Sequence, residues 1–170
     1  MSSIFDEEYD LSAIIVKPLY FGMFVNIIVP MILLALCYHL NNTQQVNNKV
    51  GDMANLLFYV FAAGAVLEAV AALLLRQRML KAPMIRRKET FEEDFGEQLN
   101  KRSRVVFVII ASISLWGIIY FFLTARFTEA VLFVVLSFIV FQLVRPRYGS
   151  TRKFVEAQEK LVAEGKFLQE

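Results

Sequence analysis

One carboxyl group interrupts a long apolar run in the first half of this sequence. Glu68 is the only charged residue between Ala54 and Leu75, and that segment is long enough to cross a bilayer as a helix. A charged side chain near the centre of such a helix costs about 2.5–3.5 kcal/mol on insertion scales, and such residues usually face the interior of a bundle. Glu68 is therefore the first candidate for an intramembrane polar or ion-binding site.

Three polar residues in other apolar runs are further candidates for this site, namely Asn26, Ser112 and Ser114. Pro30 has no N–H to offer the carbonyl group of Asn26, so we expect a helix kink at Pro30. We also expect Asn26 and Pro30 to face the bundle interior, where the freed carbonyl can find a partner. No lysine or arginine lies at comparable depth in any apolar run. The pattern therefore predicts that Glu68 makes a hydrogen bond to another helix, close to the kink.

Small residues surround Glu68 at helical spacing. Gly64, Ala65, Ala71 and Ala72 lie three or four residues away, and small side chains let a second helix approach closely. Three roles remain open for the carboxyl group. It could be a structural hydrogen bond between helices, it could bind a proton or a cation, or it could contact a partner subunit or a lipid headgroup.

Other chemistry has little support in the sequence. A zinc site needs clustered ligands, but the chain has one histidine, His39, and one cysteine, Cys37. His39 ends an apolar run, where a water-exposed group is the ordinary interpretation and a metal or relay role the alternative. There is no Gly-x-Ser-x-Gly elbow and no glycine-rich phosphate loop. We expect no catalytic residue, no metal and no cofactor, and we expect that the protein is not an enzyme.

The composition predicts the elements that must position Glu68. Hydrophobic residues make up 57% of the chain, more than the roughly 45–50% of soluble domains, and the charged residues lie in blocks between apolar runs. This segregation is typical of an all-α integral membrane protein. We predict one membrane domain, residues 1–170, with four transmembrane helices in two antiparallel hairpins. The predicted spans are residues 19–40, 54–75, 105–123 and 127–144.

Two polar segments carry apolar residues at helical spacing and predict short amphipathic cytoplasmic helices. The first is residues 89–101, where Thr90 and Glu93 fit a capping box. We expect it to lie on the membrane surface, with docking of a partner as the alternative. The second is residues 151–165, which could lie on the membrane or pair with the first.

Lysine and arginine residues predict the orientation. Sixteen of them lie at the N-terminal entry, between residues 76 and 104, or after residue 144, whereas the other two loops hold only Lys49 and Arg126. Cytoplasmic loops carry such an excess, so we expect both termini in the cytoplasm and the inner (plasma) membrane as the location. The acidic segment 6–10 is unlike the basic start of a signal peptide, so we expect the first span to be retained.

Six basic residues follow the second span closely and are candidates for contact with anionic lipid headgroups. The alternative is that they act only as a topology signal. The six are Arg76, Arg78, Lys81, Arg86, Arg87 and Lys88.

These features favour a non-catalytic function. We expect an accessory, scaffold or assembly subunit of a larger membrane complex, with the lipid bilayer and other membrane subunits, or further copies of itself, as partners. The alternative is a small transporter or channel subunit that binds a proton or cation at Glu68. No basic stripe with interleaved aromatic residues supports nucleic-acid binding, so we expect no nucleic-acid partner.

Overall fold

The computed structural model describes residues 10–168, so most of the acidic segment 6–10 lies outside it. The described residues form helices and no β-strand. A π-helical segment, Phe24–Ile28, joins the first two helices, and short 3₁₀ turns occupy Gly51–Met53 and Lys88–Thr90. The α-helices are α1 (Leu11–Met23), α2 (Val29–Asn42), α3 (Ala54–Lys81), α4 (Phe91–Thr124), α5 (Phe127–Val144) and α6 (Tyr148–Ala163).

Four helical stretches among the described residues are long and apolar enough to cross a membrane. They are residues 11–42, 51–81, 88–124 and 127–144. The last has the same bounds as the predicted span, and the other three are longer than predicted because the helices continue beyond the apolar runs.

Helix α4 is the centre of the bundle. Its 34 residues are about 51 Å long at a rise of 1.5 Å per residue, and it contacts α1, α2, α3 and α5. Its packing on α5 is close, because Gly117 lies directly against Ala130 and Phe133. Helix α3 and the α1–α2 stretch both lie on α4 and α5, and they make few contacts with each other.

The first helix begins earlier than the predicted span. Asp10 caps it by accepting a hydrogen bond from the N–H of Ala13 at 3.1 Å, and Leu11 is buried. Pro18 therefore lies inside the helix and not directly before it, as the predicted span 19–40 implied. The hydrogen bond to Asp10 and the burial of Leu11 stabilise the helical turns before Pro18.

At the predicted kink the helix widens into a π turn. The N–H of Val29 donates to the carbonyl of Phe24, five residues back, directly before Pro30. Single π turns of this kind are a known way to absorb a break in the α-helical ladder. Asn26 and Pro30 are both buried.

Residues 89–101 do not form a separate surface helix, which corrects our expectation. Phe91–Thr124 is one continuous helix, because no proline or glycine interrupts the chain between residues 97 and 116. The first turns of α4 bury Phe91, Phe95 and Leu99 against protein. Their partners are the start of α1, the end of α3, residues 82–90 and α6. We call this assembly, residues 11–15, 80–103 and 148–168, the cap.

Hydrogen bonds of buried polar side chains stabilise the cap. Asp94 accepts hydrogen bonds from the backbone N–H of Arg86 at 2.9 Å, the N–H of Arg87 at 3.4 Å and the hydroxyl of Thr90 at 2.9 Å. The predicted capping box with Glu93 is therefore replaced, because Asp94 binds Thr90 and also ties down the preceding linker.

The second amphipathic segment, which forms α6, is also held in the cap by hydrogen bonds. Gln158 of α6 is buried, accepts a hydrogen bond from the N–H of Met84 at 2.9 Å and donates to the carbonyl of Ala82 at 3.2 Å. After α6, the N–H of Leu168 donates to the carbonyl of Ile85 at 2.8 Å. Residues 151–165 thus pack on α1, α3 and the linker after α3, and they share an apolar cluster with the first segment.

Candidate functional site

Glu68 lies on α3 and is held by two residues of α4. The hydroxyl of Ser112 is 2.8 Å from one carboxyl oxygen, and the indole N–H of Trp116 donates to the other at 3.0 Å. Ser112 and Trp116 are one helical turn apart, so both side chains reach the same point on α3. The arrangement occupies each carboxyl oxygen of Glu68 with one partner.

The Ser112 hydroxyl has a second acceptor within reach. It lies 2.6 Å from the carbonyl oxygen of Ile109 in its own helix, and a hydroxyl carries only one hydrogen. When that hydrogen points to Ile109, the contact between Ser112 and Glu68 needs a proton from the carboxyl group. Ser112 and Glu68 can therefore share a hydrogen bond in two ways. Ser112 donates to an ionised Glu68, or a protonated Glu68 donates to Ser112 while Ser112 donates to Ile109.

The site lies at the edge of the contact between α3 and α4. Ala65 and Ala72 are fully buried there and bring the two helices together, in line with the predicted small-residue face. Gly64 and Ala71 do not belong to this contact, since a Cβ at Gly64 would meet nothing within 4 Å and Ala71 is exposed. Glu68 itself is half-buried. Part of Glu68 is therefore accessible from outside the bundle.

Aromatic packing orients the Trp116 indole. Its ring meets the edge of Phe61 with the centroids 5.0 Å apart, and Phe61 in turn lies 6.2 Å from Tyr120. Trp116 was not among the candidates from the sequence. The signal that could have found it is its position four residues after Ser112, on the same helix face, together with an indole N–H that can only donate.

Asn26 and Ser114 do not join this site. The side-chain amide of Asn26 donates to the carbonyl of Gly22 at 3.1 Å, and its amide oxygen is buried without a partner. The hydroxyl of Ser114 donates to Ala111 in its own helix at 2.7 Å. Glu68 makes the predicted hydrogen bond to another helix, but its partners lie on α4 and not at the Pro30 kink.

The six candidate lipid-contact residues separate into two environments. Arg78, Lys81, Arg86, Arg87 and Lys88 are exposed, and Arg86 pairs with Glu97 at 3.8 Å. Arg76 is different, because it is partly buried and its guanidinium lies 6.0 Å from the ring centre of Phe154 on α6. Only Arg76 of the six points inward between the helices.

Comparisons of the chain with protein-family models, with curated proteins and with solved structures find no match. The functional proposal below therefore rests on the residues and contacts of this chain.

Proposed function

We propose that the chain is an integral membrane protein with four spans in two hairpins and with both termini on the cytoplasmic side of the inner (plasma) membrane. The distribution of sixteen basic residues against two supports this orientation. Hydrogen bonds join these two weakly charged loops at one end of the bundle, in line with both loops lying on the same side of the membrane. The N–H of Lys49 donates to the carbonyl of Leu123 at 2.9 Å, and Arg126 donates to Asn55 at 2.6 Å.

Cysteine labelling tests this topology. The single native cysteine, Cys37, is buried and is first replaced by alanine, after which one cysteine is placed at Asn47 or at Lys166, both exposed. We expect a membrane-impermeant maleimide to label position 47 in intact cells and position 166 only after permeabilisation. Labelling of position 166 in intact cells would contradict the proposed orientation.

Within that membrane, the proposed function is a non-catalytic accessory, scaffold or assembly subunit of a larger complex. The observation that carries it is the half-buried Glu68 at the edge of the α3–α4 contact. A carboxyl group facing lipid at this depth is unfavourable, whereas a donor from a neighbouring membrane subunit would satisfy the open side. The adjacent Leu67 and Val70 are 70% and 48% exposed, so this face of α3 is free to receive another helix.

Photo-crosslinking in native membranes tests the partner face. A photoreactive amino acid at Leu67 is compared with one at Leu143 of α5, which is also well exposed at 57%. We expect one discrete protein adduct from position 67 and none from position 143. The adduct should disappear when Glu68→Leu is added and persist with Ser112→Ala, which changes only the contact inside the chain. Equal labelling at both positions would contradict a specific partner on α3.

The alternative function, a small transporter or channel subunit that binds a proton or cation at Glu68, is favoured by the Ser112 geometry. The hydroxyl can donate either to Glu68 or to Ile109, so protonation of the carboxyl group does not break the contact. Glu68→Gln should keep both contacts, because its amide can donate to Ser112 and its oxygen can accept from Trp116.

Flux measurements separate the two functions. Purified wild-type protein and Glu68→Gln are reconstituted in liposomes, and proton and cation fluxes are recorded. Wild-type flux that vanishes in the variant would refute the accessory function. Absence of flux in both forms would refute the transporter function for the chain alone.

A further inference from the structure

A cleft opens at the basic end of the bundle, between α3, α4 and α6. Its empty space is about 380 Å³ with the open mouth included, and the part of it that water-sized groups can occupy is about 20 Å³, which is room for one water molecule. It lies about 12 Å along α3 from Glu68, at 1.5 Å per residue, so it is a separate site. Among the residues that line it are Arg76, Arg102, Ser103, Pro146, Thr151 and Phe154.

Arg76 brings an uncompensated charge to this cleft. It is partly buried, and among residues 10–168 no carboxylate forms an ion pair with it. Its neighbours increase the positive potential, because Arg147 repels it and Arg102 lines the same cleft. An arginine that serves only as a topology signal can stay in water, as the exposed Arg78 does. A partly buried arginine without a counter-charge is well suited to bind an anion.

Arg102, the second arginine of the cleft, is held in place by hydrogen bonds to backbone carbonyl groups. Its guanidinium donates to the carbonyls of Met79, Ala82 and Pro83, with distances of 3.2 Å to Ala82 and 2.7 Å to Pro83. These bonds satisfy the carbonyl groups at the end of α3. Arg102 therefore forms a rigid positive wall of the cleft, while Arg76 keeps its donors free.

Thr151 supplies an independent sign of a ligand. It is 1% exposed, it lines the cleft, and its hydroxyl has no hydrogen-bond partner. Buried hydroxyls without partners are rare, and each calls for an explanation such as a bound group. The Nε of Arg145, one residue before the cleft residue Pro146, is also buried without an acceptor. The hydroxyl of Thr151 and the Nε of Arg145 can both donate a hydrogen bond. Unpaired donors of this kind are what an anion needs as partners.

We propose that this cleft binds a phosphate-bearing anion, with the phosphate oxygens at the mouth beside Arg76 and the hydroxyl of Thr151 as a further donor. Arginine recognises phosphate oxygens through paired N–H groups. The interior of the cleft admits about one water molecule, so the larger phosphate group binds at the mouth. The phosphate could belong to an anionic lipid headgroup or to a soluble phosphate compound. Only the lipid source rests on the proposed membrane insertion, which the cysteine labelling tests separately.

Binding is measured on the full-length protein in a neutral detergent. One arm adds phosphatidylglycerol or phosphatidylcholine and counts bound lipids by native mass spectrometry. The other arm adds inorganic phosphate, with chloride at equal ionic strength, and follows the thermal unfolding midpoint. The variants are Arg76→Gln, Thr151→Val and the control Arg78→Gln, which removes the same charge two residues away.

We expect Arg76→Gln to weaken binding of the phosphate probe about tenfold, as for loss of a charge-assisted hydrogen bond. Thr151→Val should weaken it less, and Arg78→Gln should leave it unchanged. Preference for phosphatidylglycerol without a response to phosphate identifies a lipid headgroup, and a response to phosphate identifies a soluble ligand.

Two results would overturn the proposal. One is an equal loss in Arg76→Gln and Arg78→Gln, which would mean diffuse attraction to the basic surface. The other is no selective binding of either probe by the wild-type protein. If Arg76→Gln does not fold, Thr151→Val decides alone, since it keeps every charge, and unchanged binding in that variant would also overturn the proposal.

Discussion

Gly117 is the position where a single methyl group should do most damage to the bundle. An ideal Cβ at this position would lie 2.7 Å from the carbonyl oxygen of Ala130 and 2.7 Å from the Cβ of Phe133. Neither atom is the end of a flexible side chain, so α4 and α5 must move apart to admit the methyl group. Overpacking of this kind costs about 1–3 kcal/mol, and the better helix propensity of alanine returns up to about 1 kcal/mol.

We therefore expect Gly117→Ala to lower the free energy of unfolding by about 1–2 kcal/mol, because two rigid contacts place the overpacking cost in the upper part of its range. Gly64→Ala is the matched control. A Cβ there meets nothing within 4 Å, so this variant should be as stable as wild type or more stable by up to about 1 kcal/mol.

Unfolding of both variants is measured by adding sodium dodecyl sulfate to mixed micelles. The fluorescence of Trp116, the single tryptophan of the chain, reports on the separation of α3 from α4. A Gly117→Ala protein as stable as wild type would refute the close packing of α4 on α5. Equal destabilisation by Gly64→Ala would show that the effect does not come from the Cβ contacts.

Three further substitutions test the cap and the candidate site. Asp94→Asn removes the charge from an acceptor of three hydrogen bonds and should destabilise the cap by about 1–3 kcal/mol, seen as faster proteolysis within residues 82–90; unchanged cleavage would contradict this role. Gln158→Leu leaves the N–H of Met84 without its acceptor and should increase hydrogen exchange throughout α6, whereas wild-type protection would show that α6 is held mainly by apolar packing. Ser112→Ala removes one contact to Glu68 and should cost about 0.6 kcal/mol, the average for interhelical hydrogen bonds in membranes; a loss above about 1.7 kcal/mol would exceed the range known for such bonds.

The apolar helices could be predicted from sequence because their signal is local. A run such as residues 127–144 contains one charged residue, Glu129, in its first turn, and its length and composition determine the helix without reference to any neighbour. The start of the first helix could not be predicted in the same way. Pro18 suits the first turn of a helix, and it is the structure that shows the earlier start, through the packing of Leu11 and the hydrogen bond from Ala13 to Asp10.

The cap was missed for a different reason. The spacing of Phe91, Phe95 and Leu99 describes an apolar stripe, but a membrane surface and a protein surface bury such a stripe equally well. The choice depends on residues far away in sequence, such as Met84 and Val155, which supply the opposing apolar surface.

From the sequence we predicted the position of Glu68 and, among three candidates, its partner Ser112, but not its partner Trp116. The position of Glu68 within an apolar run follows from sequence, whereas its neighbours depend on which face of α4 meets α3. That face carries Ser112 and Trp116. Asn26 was an equally good donor by residue type, but it lies on a helix that makes few contacts with α3.

The mass of the particle that contains this chain, after native membranes are solubilised in a mild detergent, tests the proposed function most directly. We expect the wild-type chain in a particle with one defined further membrane subunit, or a second copy, at fixed stoichiometry. Glu68→Leu should release the chain from that particle, and Ser112→Ala should not. A wild-type chain that travels alone, or a Glu68→Leu chain that remains in the particle, would contradict an accessory function exerted through the Glu68 face of α3.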